Sequence, residues 1–207
     1  GYEVGDRVGY ATLSGSCGDC AACVIGKNNA CKGFKHSYNP DFGGWATSLQ
    51  NPYDWYYPIP EEIPDHFAAP LMCAGMTVYT PLRDHGFAGA KVAVAGIGGL
   101  GHMAIQFGKC MGMSVTAIST RESKRQEATD LGADGFLVSS DPAQMRAGCD
   151  QFDLVIITAS RFTLSDYVSL AKPFGTLFML GAPPLTLHFV VHLIHVSSTY
   201  NPLTSLL

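Results

Sequence analysis

Four cysteines stand at Cys17, Cys20, Cys23 and Cys31, a C-x2-C-x2-C-x7-C run. Three thiols two residues apart and a fourth one loop later can close a tetrahedral shell around one ion. Zinc on four thiolates is the usual occupant of such a shell, and a shell with no open position is structural. Gly15, Gly18, Gly26 and the Asn28-Asn29 pair supply turns between these cysteines, not a hydrophobic face. The alternatives are two disulfides, an iron–sulfur site or chance. Disulfides fit poorly, because neighbours two residues apart rarely bridge.

A second pattern carries chemistry of another kind. Gly96, Gly98 and Gly101 form G-x-G-x-x-G directly after the apolar run Lys91-Val92-Ala93-Val94-Ala95 and before a helical stretch. In that setting the first glycine allows the tight turn. The second lets the backbone approach a pyrophosphate, and the third lets helix and strand pack closely. The helix start then offers free N–H groups to an anion. A plain tight strand-to-helix turn is the bland alternative. The expected contacts to a dinucleotide are Gly96, Gly98, Gly99, Leu100 and Gly101.

The end of the next strand selects the cofactor. An Asp or Glu there holds the ribose hydroxyls of NAD. This chain instead has Ser119, Thr120, Arg121, Glu122, Ser123 and Lys124. Two hydroxyls, Arg121 and Lys124 suit a 2′-phosphate through charge-assisted bonds, so NADP is expected over NAD. Glu122 works against that, and Arg121 and Lys124 read equally as a solvated helix start.

The elements around these residues fall into two halves. Residues 1–60 are rich in Gly, Asn, Pro and aromatics, with short strand-like runs at 8–11, 43–49 and 55–59. From Asp65 to Tyr79 the pattern is helical, with Asp65 as a possible N-cap and Pro70 as a break. Beyond Gly86, strands and helices alternate. Strands are expected at 91–95, 114–119, 136–138, 153–157 and 176–180, with helices at 100–111 and 121–131. Such alternation implies a parallel sheet with right-handed crossovers. The composition, 47% hydrophobic and 14% charged with net charge −4 over 207 residues, is that of a globular protein. The acidic balance speaks against nucleic acid. No apolar stretch reaches the roughly 18 residues of a membrane span. Seven cysteines and no readable secretory leader point to a reducing compartment and a cytoplasmic location.

Gly5-Asp6-Arg7-Val8, the four cysteines, Gly43-Gly44-Trp45-Ala46, Pro58-Ile59-Pro60, the run Ala69 to Tyr79 and the run Ala95 to His102 occur in one order. That set resembles the zinc-dependent medium-chain alcohol dehydrogenases, most closely their cinnamyl alcohol dehydrogenase branch, over about residues 1–182. The resemblance implies an α/β protein. A partial GroES-like β catalytic domain carrying a structural zinc lobe (residues 1–84) is followed by a doubly wound Rossmann domain (85–184) and an atypical tail (185–207). It implies an enzyme that interconverts a primary alcohol of aromatic or cinnamyl type and its aldehyde by hydride transfer with NADP(H), and that forms a homodimer. It makes Cys73 a ligand of a catalytic zinc, places Thr77 near the nicotinamide, and sets Gly181 and Ala182 beside the nicotinamide ring. Cys110 and Cys149 read as ordinary thiols, and His102 as a packing or capping residue.

The sequence departs from that family at both ends. The family's catalytic zinc takes a Cys and the His or Glu of a Gly-His-Glu segment from upstream, and this sequence starts just after the place where they would stand. After Pro184 the pattern fades, and His188, His192 and His195 decorate a strand-like segment without metal-site context. A chain incomplete at both ends is therefore expected. A zinc- and dinucleotide-binding protein without turnover, or a zinc-free quinone-reductase relative, are the alternatives.

Overall fold

The computed structural model describes residues 1–37, 44 and 46–181, together with the backbone of 194–195. The chain divides into two compact units, Gly1–Cys73 and Ala74–Leu207. The sequence reading drew this boundary eleven residues later, after residue 84. The difference is one helix, Met76–His85, which packs on a helix of the second unit.

The first unit is built from short strands. β1 (Val8–Tyr10) and β2 (Leu13–Gly15) lead into α1 (Ala21–Val24), a single helical turn inside the cysteine run. β3 (Lys35–His36) pairs antiparallel with β2, and β4 (Tyr56–Pro58) pairs antiparallel with β1. The described residues of the expected strand at 43–49 form none. Residues 43 and 45, with Trp45, lie outside the described residues.

Arg7 holds this unit together. Its guanidinium donates to the carbonyls of Pro60, Glu61 and Ile63 and to the Asp65 carboxylate, at 2.6 Å for the shortest bond to Asp65. A rigid five-donor fork suits such a set of convergent oxygens. Asp65 is therefore not the N-cap read from the sequence. It is the first residue of α2 (Asp65–Pro70), and Pro64 precedes it without a side-chain cap. Pro70 does not split the helix either. α2 runs into a π-helical segment, Leu71–Gly75, and then into α3 (Met76–His85). Such bulges are rare and gather at functional sites.

The second unit is a sheet of six strands. β5 (Lys91–Ala95), β6 (Ser114–Ser119), β7 (Gly135–Val138), β8 (Phe152–Ile157), β9 (Ala171–Met179) and β10 (Ile194–His195) lie in the order β10-β9-β8-β5-β6-β7. All pairs are parallel except β10 with β9. From the first strand outward this is the doubly wound order, with its switch point between β5 and β8. Helices α4 (Gly101–Cys110), α5 (Arg125–Asp130), α6 (Pro142–Ala147) and α7 (Leu164–Val168) connect the strands.

Burial explains why β5 and β8 read as continuous apolar runs. Successive side chains point to opposite faces, and both faces are covered. Val92, Val94, Leu154 and Ile156 join one core with Val78, Leu82, Ala104 and Ile105. Ala93, Ala95, Val155 and Ile157 join the other with Tyr167, Leu170 and Leu177. β5 and β6 match the expected strands residue for residue. β9 begins at Ala171, five residues before the expected start. The helix expected at 121–131 is a 3-10 turn, Glu122–Lys124, followed by α5. Among the described residues no helix is long and apolar enough to cross a membrane. Most of the tail, with His188 and His192, lies outside the described residues.

Candidate metal centre and nucleotide site

The four cysteine sulfurs converge. Cys17 and Cys31 Sγ lie 3.4 Å apart, Cys20 and Cys23 3.6 Å, Cys17 and Cys23 3.9 Å, and all four fall within 4.8 Å of one another. A tetrahedron with metal–sulfur bonds near 2.3 Å has edges of about 3.8 Å. The cluster matches that edge and far exceeds the ~2.05 Å of a disulfide. All four are free thiols. Backbone N–H groups of Cys17 and Gly33 point at Cys31 Sγ, at 3.5 and 3.3 Å, as donors commonly do around a metal-bound sulfur.

Crowding separates the thiols electrostatically. A hydrogen bond with Ser16 leads the effects that hold Cys23 down at about 6. The hydrogen bond of Cys17 to Asp19 is the largest cause that pushes its thiol up to about 12, and the same bond lowers the Asp19 carboxyl.

The nucleotide site starts where β5 ends. Gly96 has φ of +95°, a conformation that favours glycine. A Cβ on Gly96 would stand 2.9 Å from Thr158 Oγ1 and 3.0 Å from Ala159 N. A Cβ on Gly101 would stand 1.8 Å from the Gly96 carbonyl oxygen. The contacts with Ala159 N and with the Gly96 oxygen are to backbone, so no rotamer change relieves them. Gly98 and Gly99 differ, since a Cβ on either meets nothing within 4 Å. The open side of the turn is the side a ligand would occupy. Ile97, Gly98, Gly99 and Leu100 donate no backbone hydrogen bond among the described residues. Free N–H groups in a concave turn at a helix start suit a pyrophosphate.

Thr158, which the sequence reading missed, belongs to the same turn. It is the first residue after β8. Its hydroxyl donates to the carbonyls of Ala95 (2.9 Å) and Gly96 (3.1 Å). A hydroxyl directly after the buried run Leu154–Ile157, at a strand end facing the glycine turn, was its signal in the sequence.

The next strand end carries the predicted selector residues. Ser119 closes β6, and its Oγ accepts the Arg121 N–H. The Thr120 carbonyl accepts from the Ser140 hydroxyl. Glu122 pairs with Arg125 at 2.5 Å, and this bond leads the lowering of its carboxyl. Lys124 pairs with Glu127 at 2.5 Å. Arg121 is exposed, and its guanidinium has no ion-pair partner among the described residues.

The remaining predicted residues lie elsewhere. Gly181 follows β9, and a Cβ on it would stand 2.0 Å from the Ala159 carbonyl oxygen, which puts it at the β8 end of the crevice. Ala182 lies outside the described residues. Thr77 is half-buried on α3, and Cys73 is exposed on the π-helical segment. Cys73 stands outside the one donor cluster found among the described residues. A cavity of about 380 Å³ in the first unit is lined by Arg7, Gly9, Tyr10, Ile59, Asp65 and Met72 among others, apart from both sites.

Two family profiles match this chain. That of the alcohol dehydrogenase GroES-like domain covers residues 1–61, and that of zinc-binding dehydrogenases covers residues 99–200. The chain belongs to the zinc-dependent medium-chain alcohol dehydrogenases. It is 42% identical over 193 residues to an 8-hydroxygeraniol dehydrogenase of Catharanthus roseus, across 88% of this chain and 54% of that protein. Among solved structures, a cinnamyl alcohol dehydrogenase of Sorghum bicolor is 38% identical with a TM-score of 0.80, across 88% of this chain and 55% of that one. The CAD of Helicobacter pylori, solved in complex with NADP(H), is 31% identical with a TM-score of 0.79 over the same shares. The chain thus spans about half the length of the relatives it matches.

Two outcomes follow from this geometry. Elemental analysis should find about one tightly held metal ion per chain, and Cys31→Ser should lower that content and the thermal stability of the first unit. Gly98→Ala should leave the unfolding midpoint unchanged but weaken pyrophosphate-bearing ligands about tenfold or more, because its Cβ enters the open cradle. Gly101→Ala should lower the midpoint itself, because its Cβ meets a carbonyl. Thermal unfolding with and without NADPH separates the two.

Proposed function

We propose that the protein serves an NADP(H)-dependent oxidoreductase that interconverts a primary alcohol and its aldehyde, with zinc held structurally by Cys17, Cys20, Cys23 and Cys31. The open, donor-lined cradle after β5 carries this reading, joined to a neighbouring strand end that has hydroxyls and Arg121 where NAD-binding chains place an acid. When bound, the dinucleotide supplies the hydride.

The chain's own residues supply position and charge. The free N–H groups of Ile97 to Leu100 receive the pyrophosphate. Ser119 and Thr120 serve the adenosine ribose, and Arg121 receives the 2′-phosphate. Lys124 contributes only after leaving Glu127. Thr77, Gly181 and Ala182 are assigned to the nicotinamide end. The relatives' names favour cinnamyl-type substrates, and Trp55 and Tyr56 are aromatic side chains of the first unit.

Cys73 offers one thiolate toward a catalytic zinc, and such sites take three protein ligands. Among the described residues it joins no group of three or more side chains that could hold an ion. A protein that binds zinc and NADP(H) without turnover is the second reading. NADPH consumption with cinnamaldehyde decides between them. Zinc-dependent turnover supports the oxidoreductase, whereas NADPH binding without turnover supports the second reading.

Arg121→Ala should raise the Kd for NADPH by about 10- to 100-fold, the scale of one charge-assisted bond, with little change for NADH. Titration calorimetry with both cofactors checks this. Equal effects on the two would remove Arg121 from the 2′-phosphate site.

A further inference from the structure

The glycine turn is open on one side and pinned on the other, and two side chains do the pinning. Thr158 Oγ1 lies 3.1 Å from the Gly96 carbonyl oxygen. His102 holds the Gly98 carbonyl twice, through its backbone N–H at 3.0 Å and its ring Nδ1 at 3.0 Å. A carbonyl acceptor makes Nδ1 the protonated ring nitrogen in this contact.

In a trans peptide the C=O of one residue and the N–H of the next point in opposite directions. The Gly96 oxygen is turned toward Thr158 and the start of α4, where a Cβ on Gly101 would strike it. The Ile97 N–H of the same peptide is therefore turned away from the helix. The Gly98 oxygen is turned into α4, so the Gly99 N–H points out of the helix start. Neither N–H has a backbone acceptor among the described residues.

We infer that Thr158 and His102 are positioning residues for the dinucleotide: by holding the Gly96 and Gly98 carbonyls they aim the Ile97 and Gly99 N–H groups at the pyrophosphate. This rests on the proposed nucleotide site. It assigns no contact between either side chain and the ligand, and it deepens the reading by naming what orients the donors before ligand arrives. Preorganised donors bind an anion without the reorganisation that a free loop would undergo.

The Ala95 carbonyl shows where the effect of Thr158 falls. It also accepts the Thr158 backbone N–H at 2.8 Å, so it stays partnered when the hydroxyl is removed. The Gly96 carbonyl loses its hydroxyl partner and the peptide gains freedom to turn. Thr158→Val removes the donor and keeps the shape. Thr158→Ser returns the donor. His102→Phe removes Nδ1, and His102→Asn returns a donor close to its position.

The test is titration calorimetry of wild type and the four variants with two probes, NADPH and adenosine 2′-monophosphate. The second probe reaches the Ser119–Arg121 end but has no pyrophosphate. Thr158→Val should weaken NADPH about 3- to 10-fold, the scale of one lost neutral hydrogen bond, and His102→Phe about 2- to 3-fold, because the His102 backbone N–H still holds the Gly98 carbonyl. Both should bind adenosine 2′-monophosphate within twofold of wild type. Thr158→Ser and His102→Asn should bind NADPH within twofold of wild type. NADPH affinity unchanged in Thr158→Val and His102→Phe overturns the inference, and so does equal weakening of both probes, which marks a general loss of structure. A wild-type protein that binds neither probe overturns the nucleotide site itself.

Discussion

Between the ends of β5 and β8 the main chain approaches itself more closely than side chains permit. Gly101 lies against the Gly96 carbonyl, Gly96 against Thr158 and Ala159, and Gly181 against the Ala159 carbonyl. Three glycines, two from the β5–α4 turn and one from the end of β9, crowd around the Thr158–Ala159 dipeptide. This contact lets α4 start directly over the sheet and leaves the turn's N–H groups exposed. A Cβ at any of the three would push apart the elements that form the crevice. Gly108 extends the same requirement along α4, where a Cβ would reach 2.9 Å from Val115 Cγ2. Helix and sheet therefore stay close over the whole length that aims the helix start at the crevice.

The two units reach stability by different means. The second buries both faces of a parallel sheet, and its strands carry most of the fully enclosed aliphatic side chains. At about 25 cal/mol per Å² of apolar surface, such burial is the main favourable contribution. The first unit has little of this. None of α1's residues is buried, Val24 and Ile25 are largely exposed, and Cys31 is the one fully buried cysteine of the four. Its order depends on directed bonds: the Arg7 fork in one region and four sulfurs around one point in another. A metal ion bound in the sulfur cluster would act as a folding element of this unit, as small lobes without a large core require.

The parts of the protein that were legible in the sequence are those governed by local chemistry. β5 and β6 follow from apolar runs bounded by turns. The sulfur cluster follows from cysteine spacing, and the glycine turn from its place between strand and helix. What stayed hidden depends on partners distant in sequence. Asp65 looks like an N-cap until Arg7, 58 residues earlier, takes its carboxylate. Pro70 looks like a break, but the chain absorbs it in a π-helical segment. Thr158 has no motif of its own, and its meaning comes from Ala95 and Gly96, more than sixty residues upstream.

The strand end after β6 shows how such partners change the reading of charge. Taken singly, Glu122 opposes a phosphate and Lys124 favours one. In the folded chain Glu122 is held by Arg125 and Lys124 by Glu127, in adjacent ion pairs along one short helical stretch. Each exposed pair adds little stability. Together they cancel both the objection and half of the support. What remains is Arg121, exposed between the hydroxyls of Ser119 and Thr120 and the start of that stretch, with its guanidinium uncommitted among the described residues. A planar fork next to two hydroxyls is a better match for a phosphate monoester than a lysine whose charge is already shared. The proposed preference for a 2′-phosphate therefore rests on one arginine, with Glu122 held in its own ion pair with Arg125.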